Sequence, residues 1–356
     1  MARKRKTLPK DFDAMLTSAS PAELIGVFDR CEIDARGGFR KSTALGFRDC
    51  PDELIVWLVE QGLDVDDRDN SGRTALADRA NSSTQKYVDQ IELLMSLGAD
   101  IEAPDASGRT PFVNAVLGLR TSAAGLLADR GAVISGDRWN PETLLERALG
   151  GVDNSRIADA LGTARLLIAL GAPTSDKMRV RVEQMGEKFE RYRSVFAPDR
   201  LDATQAALDE LYTIFDVAPV GRRVMHDGTS AIVVEAGTWQ ERHEALWELL
   251  VPGVGSAATE QGEVIRITGK ISDEMFRNGG ANWSADFRAM VDALVSVLSA
   301  HAELSADALG EARDVARRVR TGRGAQSDLE RLSELAVEWV AQNPEPHPLG
   351  DVPYKS

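Results

Sequence analysis

One recurring phrase constrains this chain more than any other feature. An apolar run ends in glycine, and a short acidic stretch follows. It reads Leu58-Val59-Glu60-Gln61-Gly62-Leu63-Asp64-Val65, then Leu94-Met95-Ser96-Leu97-Gly98-Ala99-Asp100-Ile101. Weaker copies run from Leu127 through Gly131 to Ile134 and from Leu167 through Gly171 to Pro173. The glycines are 36, 33 and 40 residues apart. A second marker keeps step: Ser71-Gly72-Arg73-Thr74-Ala75-Leu76 and Ser107-Gly108-Arg109-Thr110-Pro111-Phe112, with Thr143 33 residues beyond Thr110. A period in this range means stacked units, none of which buries its apolar face alone.

The local chemistry predicts what each unit is. Thr74, Thr110 and Thr143 suit helix starts, where a hydroxyl caps free N–H groups. Pro111 suits a first helical turn. Gly62, Gly98, Gly131 and Gly171 suit the left-handed position just past a second helix. Apolar residues fall at matched offsets within those second helices: Ile55, Trp57 and Leu58; Ile91, Leu93 and Leu94; Ala124, Leu126 and Leu127; Ala164, Leu166 and Leu167.

The two markers in fixed phase resemble the ankyrin repeat. The resemblance is carried by the threonine, the apolar residue two on and an alanine, as in Thr110-Pro111-Phe112-Val113-Asn114-Ala115. The family's histidine is missing, with Ala77 and Val113 in its place. The resemblance implies a mainly all-α fold, an ankyrin solenoid of about five units over residues 10–175. The first unit is a degenerate cap built from Phe12 to Leu16 and Ala22 to Arg30. Charged Arg3 to Lys6 is expected to be a disordered end.

After Ser175 the phase is lost, and residues 176–342 are expected to form a helical domain. Helices are predicted over Arg179–Phe196, Ala203–Phe215, Trp239–Leu250, Thr259–Arg277, Ser284–Leu298, Ala306–Arg320 and Ser327–Ala341. Ala231-Ile232-Val233-Val234 is the one strand-like run. Trp247 and Trp283 sit in apolar helical spacing and are expected in the core. Proline-rich residues 343–356 are expected to form a loose tail. Leu246-Trp247-Glu248-Leu249-Leu250-Val251-Pro252, Gln261 to Arg266 and Asn278-Gly279-Gly280-Ala281-Asn282-Trp283 resemble a bacterial helical domain of unassigned function, found in immunity and interaction proteins. That implies a bacterial source and no particular chemistry.

Motifs of catalysis are absent. The four histidines, His226, His243, His301 and His347, show no metal-ligand spacing, and no nucleotide-loop, serine-hydrolase or zinc-protease motif occurs. No metal or cofactor is therefore expected. Arg313, Arg317, Arg318, Arg320 and Arg323 are interleaved with acids and read as a solvated helix face. Two cysteines, Cys31 and Cys50, cannot staple 356 residues, so both are expected as thiols in a reducing cytoplasm. No run of 18 apolar residues predicts a membrane span. The net charge of −14 repels nucleic acid and attracts a basic protein.

These readings converge on a non-catalytic protein-binding module, of immunity or regulatory type, that masks a basic partner. Its expected contacts lie on the loops between units: Asp66, Asp67, Arg68 and Asp69 on one, Glu102 and Asp105 on the next, Arg138 and Trp139 on the third. The acids would steer a partner, and Trp139, counted four before Thr143 like Asn70 before Thr74, would anchor it. The alternative is an enzyme with a polar site around Glu263, Arg266 and Asn282, with Gln261, Asn278 and Trp283 nearby.

Overall fold

A computed structural model describes residues 3–82, 84–134 and 140–355. The chain is mostly helical. It divides into two compact units, residues 1–186 with 202–219, and residues 187–201 with 220–356.

The first unit opens with β1 (Arg5–Thr7), α1 (Phe12–Ser18), α2 (Pro21–Gly26) and β2 (Cys31–Arg36). Strands β1 and β2 pair in parallel, so the basic end is structured and not the free tip expected of it. Lys4 also donates to the Phe28 carbonyl at 2.6 Å. Then come α3 (Asp52–Glu60), α4 (Ala75–Ala80), α5 (Gln85–Ser96), α6 (Pro111–Leu117), α7 (Thr121–Asp129), α8 (Pro141–Leu149) and α9 (Ile157–Ala169). Within pairs, α4 packs on α5, α6 on α7 and α8 on α9; between pairs, α4, α6 and α8 form one row and α5, α7 and α9 another. Helices α10 (Asp176–Tyr192) and α11 (Pro198–Phe215) each contribute residues to both units.

Sequence chemistry explains the pairs. Thr74 and Thr110 each accept a bond from the amide three residues on, at 3.2 and 3.3 Å. In the third pair the cap is Asn140, which accepts from Thr143 N–H at 2.8 Å. Thr143 is thus inside the first turn and not the cap; an asparagine preceding Pro141 outcompetes it. The four glycines have φ of 93°, 95°, 88° and 91°. Each is followed by the same bond: Leu63 N–H to Leu58 O, Ala99 to Leu94, Ala132 to Leu127 and Ala172 to Leu167, all at 2.9–3.0 Å. This six-to-one closure satisfies carbonyls that the ending helix leaves open. Leu58, Leu94, Leu127 and Leu167 are fully buried.

The second unit contains α12 (Trp239–Leu250), α13 (Glu260–Phe276), α14 (Ala285–Leu298), α15 (Ala306–Val319) and α16 (Gln326–Gln342). Helix α13 packs on α12, α14 and α16, and α15 packs on α14 and α16. The fully buried tryptophan of this core is Trp339. Trp247 and Trp283, expected inside, are half-buried and pack on its edge. Ala231 to Val234 forms no strand: Ile232 is buried and its amide reaches the Pro344 carbonyl at 2.8 Å, while Val233 is exposed. The tail is not loose. Glu260 N–H donates to His347 O at 2.8 Å, Leu349 N–H to Ala258 O at 3.1 Å, and Tyr354 is buried. Proline content limits backbone freedom, but it does not decide whether a segment docks.

Candidate partner-binding face

Loops join successive helix pairs of the first unit, and a repeated device shapes the two that carry Asp69 and Asp105. Asp69 Oδ1 accepts from the amides of Ser71 and Arg73 at 2.8 and 3.0 Å. Asp105 Oδ1 does the same for Ser107 and Arg109, at 2.8 and 3.0 Å. Both loops close through a left-handed glycine, Gly72 at φ 71° and Gly108 at φ 72°. The Asp69 side chain is only 5% exposed, and Asp105 is buried. These two were expected on an outward rim; they are instead turned in to hold their own turns, as short acids do where backbone amides converge.

The other loop acids join one loop to the next. Asp66 accepts from the Asp100 amide at 3.0 Å, and Glu102 from the Val133 amide at 2.6 Å. Burial pushes the Asp66 carboxyl above its usual range, aided by the charges of Asp100 and Asp64, while the Asp100 amide opposes the rise. Asp67 pairs with Arg36 at 2.5 Å. Arg68 donates to the Gly72 carbonyl at 3.0 Å and also to that of Pro104. Asp66, Arg68 and Glu102 thus tie one loop to the next and Asp67 reaches Arg36, whereas Asp69 and Asp105 hold their own turns. Arg138 and Trp139 lie outside the described residues. With Asn140 as the cap, the position four before it is Gly136, and Trp139 corresponds by count to Arg73 and Arg109.

Among the described residues, the most exposed aromatic on these loops was missed in the sequence. Gly37 N–H donates to Ser42 O at 2.9 Å and Ser42 N–H to Gly37 O at 3.1 Å, closing a tight loop. Phe39 at its tip is 98% exposed. Asn70 N–H donates to Arg40 O, as Ala106 N–H donates to Ser71 O, both at 3.0 Å. Phe39 thus stands where Asn70 and Ala106 stand on the next two loops. The available signal was Thr43-Ala44-Leu45, which echoes Thr74-Ala75-Leu76; Lys41-Ser42 in place of Gly-Arg obscured it. Below this loop Arg40 pairs with Asp78 at 2.7 Å. Buried Arg79 donates to Gln90 Oε1 at 2.7 Å and to the carbonyls of Leu45 and Phe47 at 3.2 and 2.7 Å, fixing the first loop's base.

The polar residues of the second unit do not converge on one site. Glu263 Oε1 accepts from Tyr354 OH at 2.8 Å and Arg266 Nη2 at 2.5 Å; Oε2 accepts from the Ala257 amide at 3.0 Å and Arg266 Nε at 2.7 Å. Burial would raise this carboxyl, but its bonds to Arg266 and the amide hold it below the usual range. A carboxylate with four donors is poorly placed to take a proton from a substrate. Asn278 and Asn282 bind Glu274 instead, at 3.0 and 2.6 Å. Gln261 holds the carbonyls of Asn343 and Glu345 at 2.9 and 2.8 Å. Trp283 stacks on Phe287 with ring centres 5.3 Å apart.

Cys31 and Cys50 are both free and buried. Burial pushes the Cys50 thiol up to about 12, which keeps it protonated and unreactive at neutral pH. Arg317, Arg318 and Arg320 pair with Asp314, Asp328 and Asp292 at 2.9, 2.6 and 2.8 Å. Among the described residues no group of three or more His, Cys, Asp and Glu side chains is placed to hold a metal, and no helix is long and apolar enough to cross a membrane.

No family model matches the chain. Over 61 residues it is 39% identical to a protein described as "Putative ankyrin repeat protein" from Acanthamoeba polyphaga mimivirus. That stretch is 17% of this chain and 8% of the viral protein. The similarity is to ankyrin-like repeats and reaches no further into either chain.

Proposed function

We propose that the first unit is an ankyrin-type stack of about five units that binds a protein partner without catalysis. The supporting observation is Phe39: a large apolar ring is held in water at the tip of a loop whose base is pinned by Arg40 and Arg79. Burying such a ring removes ~150–250 Å² from water and makes it a natural anchor. Loops tied to their neighbours through Asp66, Glu102 and Arg68 offer a preorganised surface, which lowers the entropy lost on binding. Limited identity to a viral ankyrin repeat protein supports the repeat assignment.

The narrower reading is an immunity-type or regulatory protein of the bacterial cytoplasm that masks a basic partner. The net charge of −14 supports it through long-range attraction. The expected contact set of Asp66, Asp67, Arg68, Asp69, Glu102, Asp105, Arg138 and Trp139 is narrowed: Asp69 and Asp105 act inside the loops, and Phe39 joins the contact residues.

The test uses the full chain and its Phe39→Ser variant as paired baits in lysate of the source cells. A stoichiometric partner held by the first and lost by the second, with equal thermal stability of the two baits, is the expected result. A partner retained equally by both would remove Phe39 from the interface.

A further inference from the structure

In the second unit, α13 carries Arg266, Lys270 and Asp273 at steps of four and three residues, which aligns them along one helix face with Gly269 beside them, and Arg277 follows at the helix's C-terminal cap. That face lines a cleft of about 460 Å³. The opposite wall is Pro252 to Gly255, just past the end of α12, with Arg191, Tyr192 and Trp247 beside it. Gly269 shapes the floor: a Cβ there would overlap the Trp247 ring.

Four cations line this cleft, and three are already paired: Arg191 with Glu248 at 3.5 Å, Arg266 with Glu263 at 2.5 Å and Arg277 with Asp273 at 3.0 Å, which leaves Lys270 as the one lining cation without a carboxylate among the described residues. Arg266 is the unusual member. Its side chain is 1% exposed, and Nε and Nη2 are taken by Glu263. Nη1 is buried with no hydrogen-bond partner. A buried guanidinium nitrogen left open is costly, and an arriving oxyanion would satisfy it. Lys270, one turn on, has no carboxylate within ion-pair distance among the described residues, and it is half-buried. Burial, and after it the charge of Arg266, press its amine below the usual lysine range. An anion between the two would relieve both.

We infer that this cleft binds a small phosphomonoester carrying a planar ring, of nucleoside monophosphate size. Arg266 Nη1 and Lys270 Nζ receive the phosphoryl oxygens, and Trp247 with Tyr192 supplies the wall for the ring. Pockets of ~300–1,000 Å³ hold ligands of that size. Arginine and lysine are the usual donors to phosphate, the first through its fixed fork and the second as a point charge. This site is independent of the protein-binding face and stands or falls apart from it.

Calorimetric titration of the full chain tests the assignment, with adenosine monophosphate, adenosine and inorganic phosphate as probes. The monophosphate should bind more tightly than inorganic phosphate, and adenosine should not bind measurably. Lys270→Gln should weaken the monophosphate by roughly tenfold or more. Removing Arg266 would strip the partner from Glu263 and can unfold the unit, so Lys270→Gln carries the test, checked by thermal melting. Equal affinity for the monophosphate and inorganic phosphate would overturn the ring wall. Absence of binding at millimolar probe, or binding unchanged in folded Lys270→Gln, would overturn the site.

Discussion

The amide of Asn70 donates to the carbonyl of Arg40 at 3.0 Å, and the same bond recurs one loop later from Ala106 to Ser71. It places the loop around Phe39 in register with two loops whose sequences announce themselves. Lys41 then matches Gly72 and Gly108, and all three are left-handed, at φ 53°, 71° and 72°.

That match gives a stability prediction. A lysine in the left-handed region is strained by ~1–2 kcal/mol, whereas glycine adopts it freely at an entropic cost of ~0.5–1 kcal/mol. Lys41→Gly should therefore stabilise the first unit by up to ~1 kcal/mol, read as a higher urea midpoint. A loss of stability would mean that the loop is not built like the other two.

The loop acids separate into two kinds. Asp69→Ala removes two charge-assisted bonds to the amides of Ser71 and Arg73 and leaves the half-buried Arg73 donor without its partner. It should cost about 2–3 kcal/mol. Asp105→Ala should cost at least as much, since Asp105 makes the matching pair of amide bonds, is buried and also accepts from Asn114 Nδ2 at 3.4 Å. Asp66→Ala loses bonds from one amide on a partly wet loop and should cost about 1 kcal/mol or less. Urea unfolding of the three variants measures this order. If Asp69→Ala unfolds like the wild type yet slows association with a partner, the steering role first assigned to it is restored.

Much of this architecture was legible because local rules and the tertiary fold agree. Thr74, Thr110 and the four glycines are needed by the backbone itself, so their spacing survives in the sequence. Misreadings arose where one residue could do another's work. Asn140 caps where Thr143 was expected, and the anchor position counted from Thr143 moved with it. Lys41 tolerates a conformation usually given to glycine, which hid Phe39. The polar residues of α13 were recognised as a cluster, but their partners were not. Tyr354 lies 91 residues from Glu263, and no periodicity reports a contact at that separation. The cleft at Lys270 was hidden likewise, because α10 and the end of α12 complete it.

His243 makes stability depend on pH in a window of its own. Burial on α12 lowers its pKa from 6.5 to about 4, opposed by a bond involving the Ile265 backbone. Its ring lies 6.4 Å from that of Trp247, and its Nε2 is 2.9 Å from Thr268 Oγ1. The folded chain thus keeps this ring neutral at pH values where the unfolded chain protonates it. Between pH 4 and 6.5 the unfolded state binds more protons, so stability rises with pH there. The full contribution is present above 6.5 and is lost as pH falls toward 4, by on the order of 2–3 kcal/mol in all. Glu263 acts in a separate window: its depressed carboxyl loses its contribution only on further acidification, below the ordinary value of 4.5. His243→Leu should flatten the upper part of the acid profile and leave the lower part intact. Urea midpoints followed by the chain's tryptophan fluorescence, taken from pH 4 to 7 for wild type and variant, measure the slope. An unchanged slope in the variant would show that His243 is free to protonate in the folded chain.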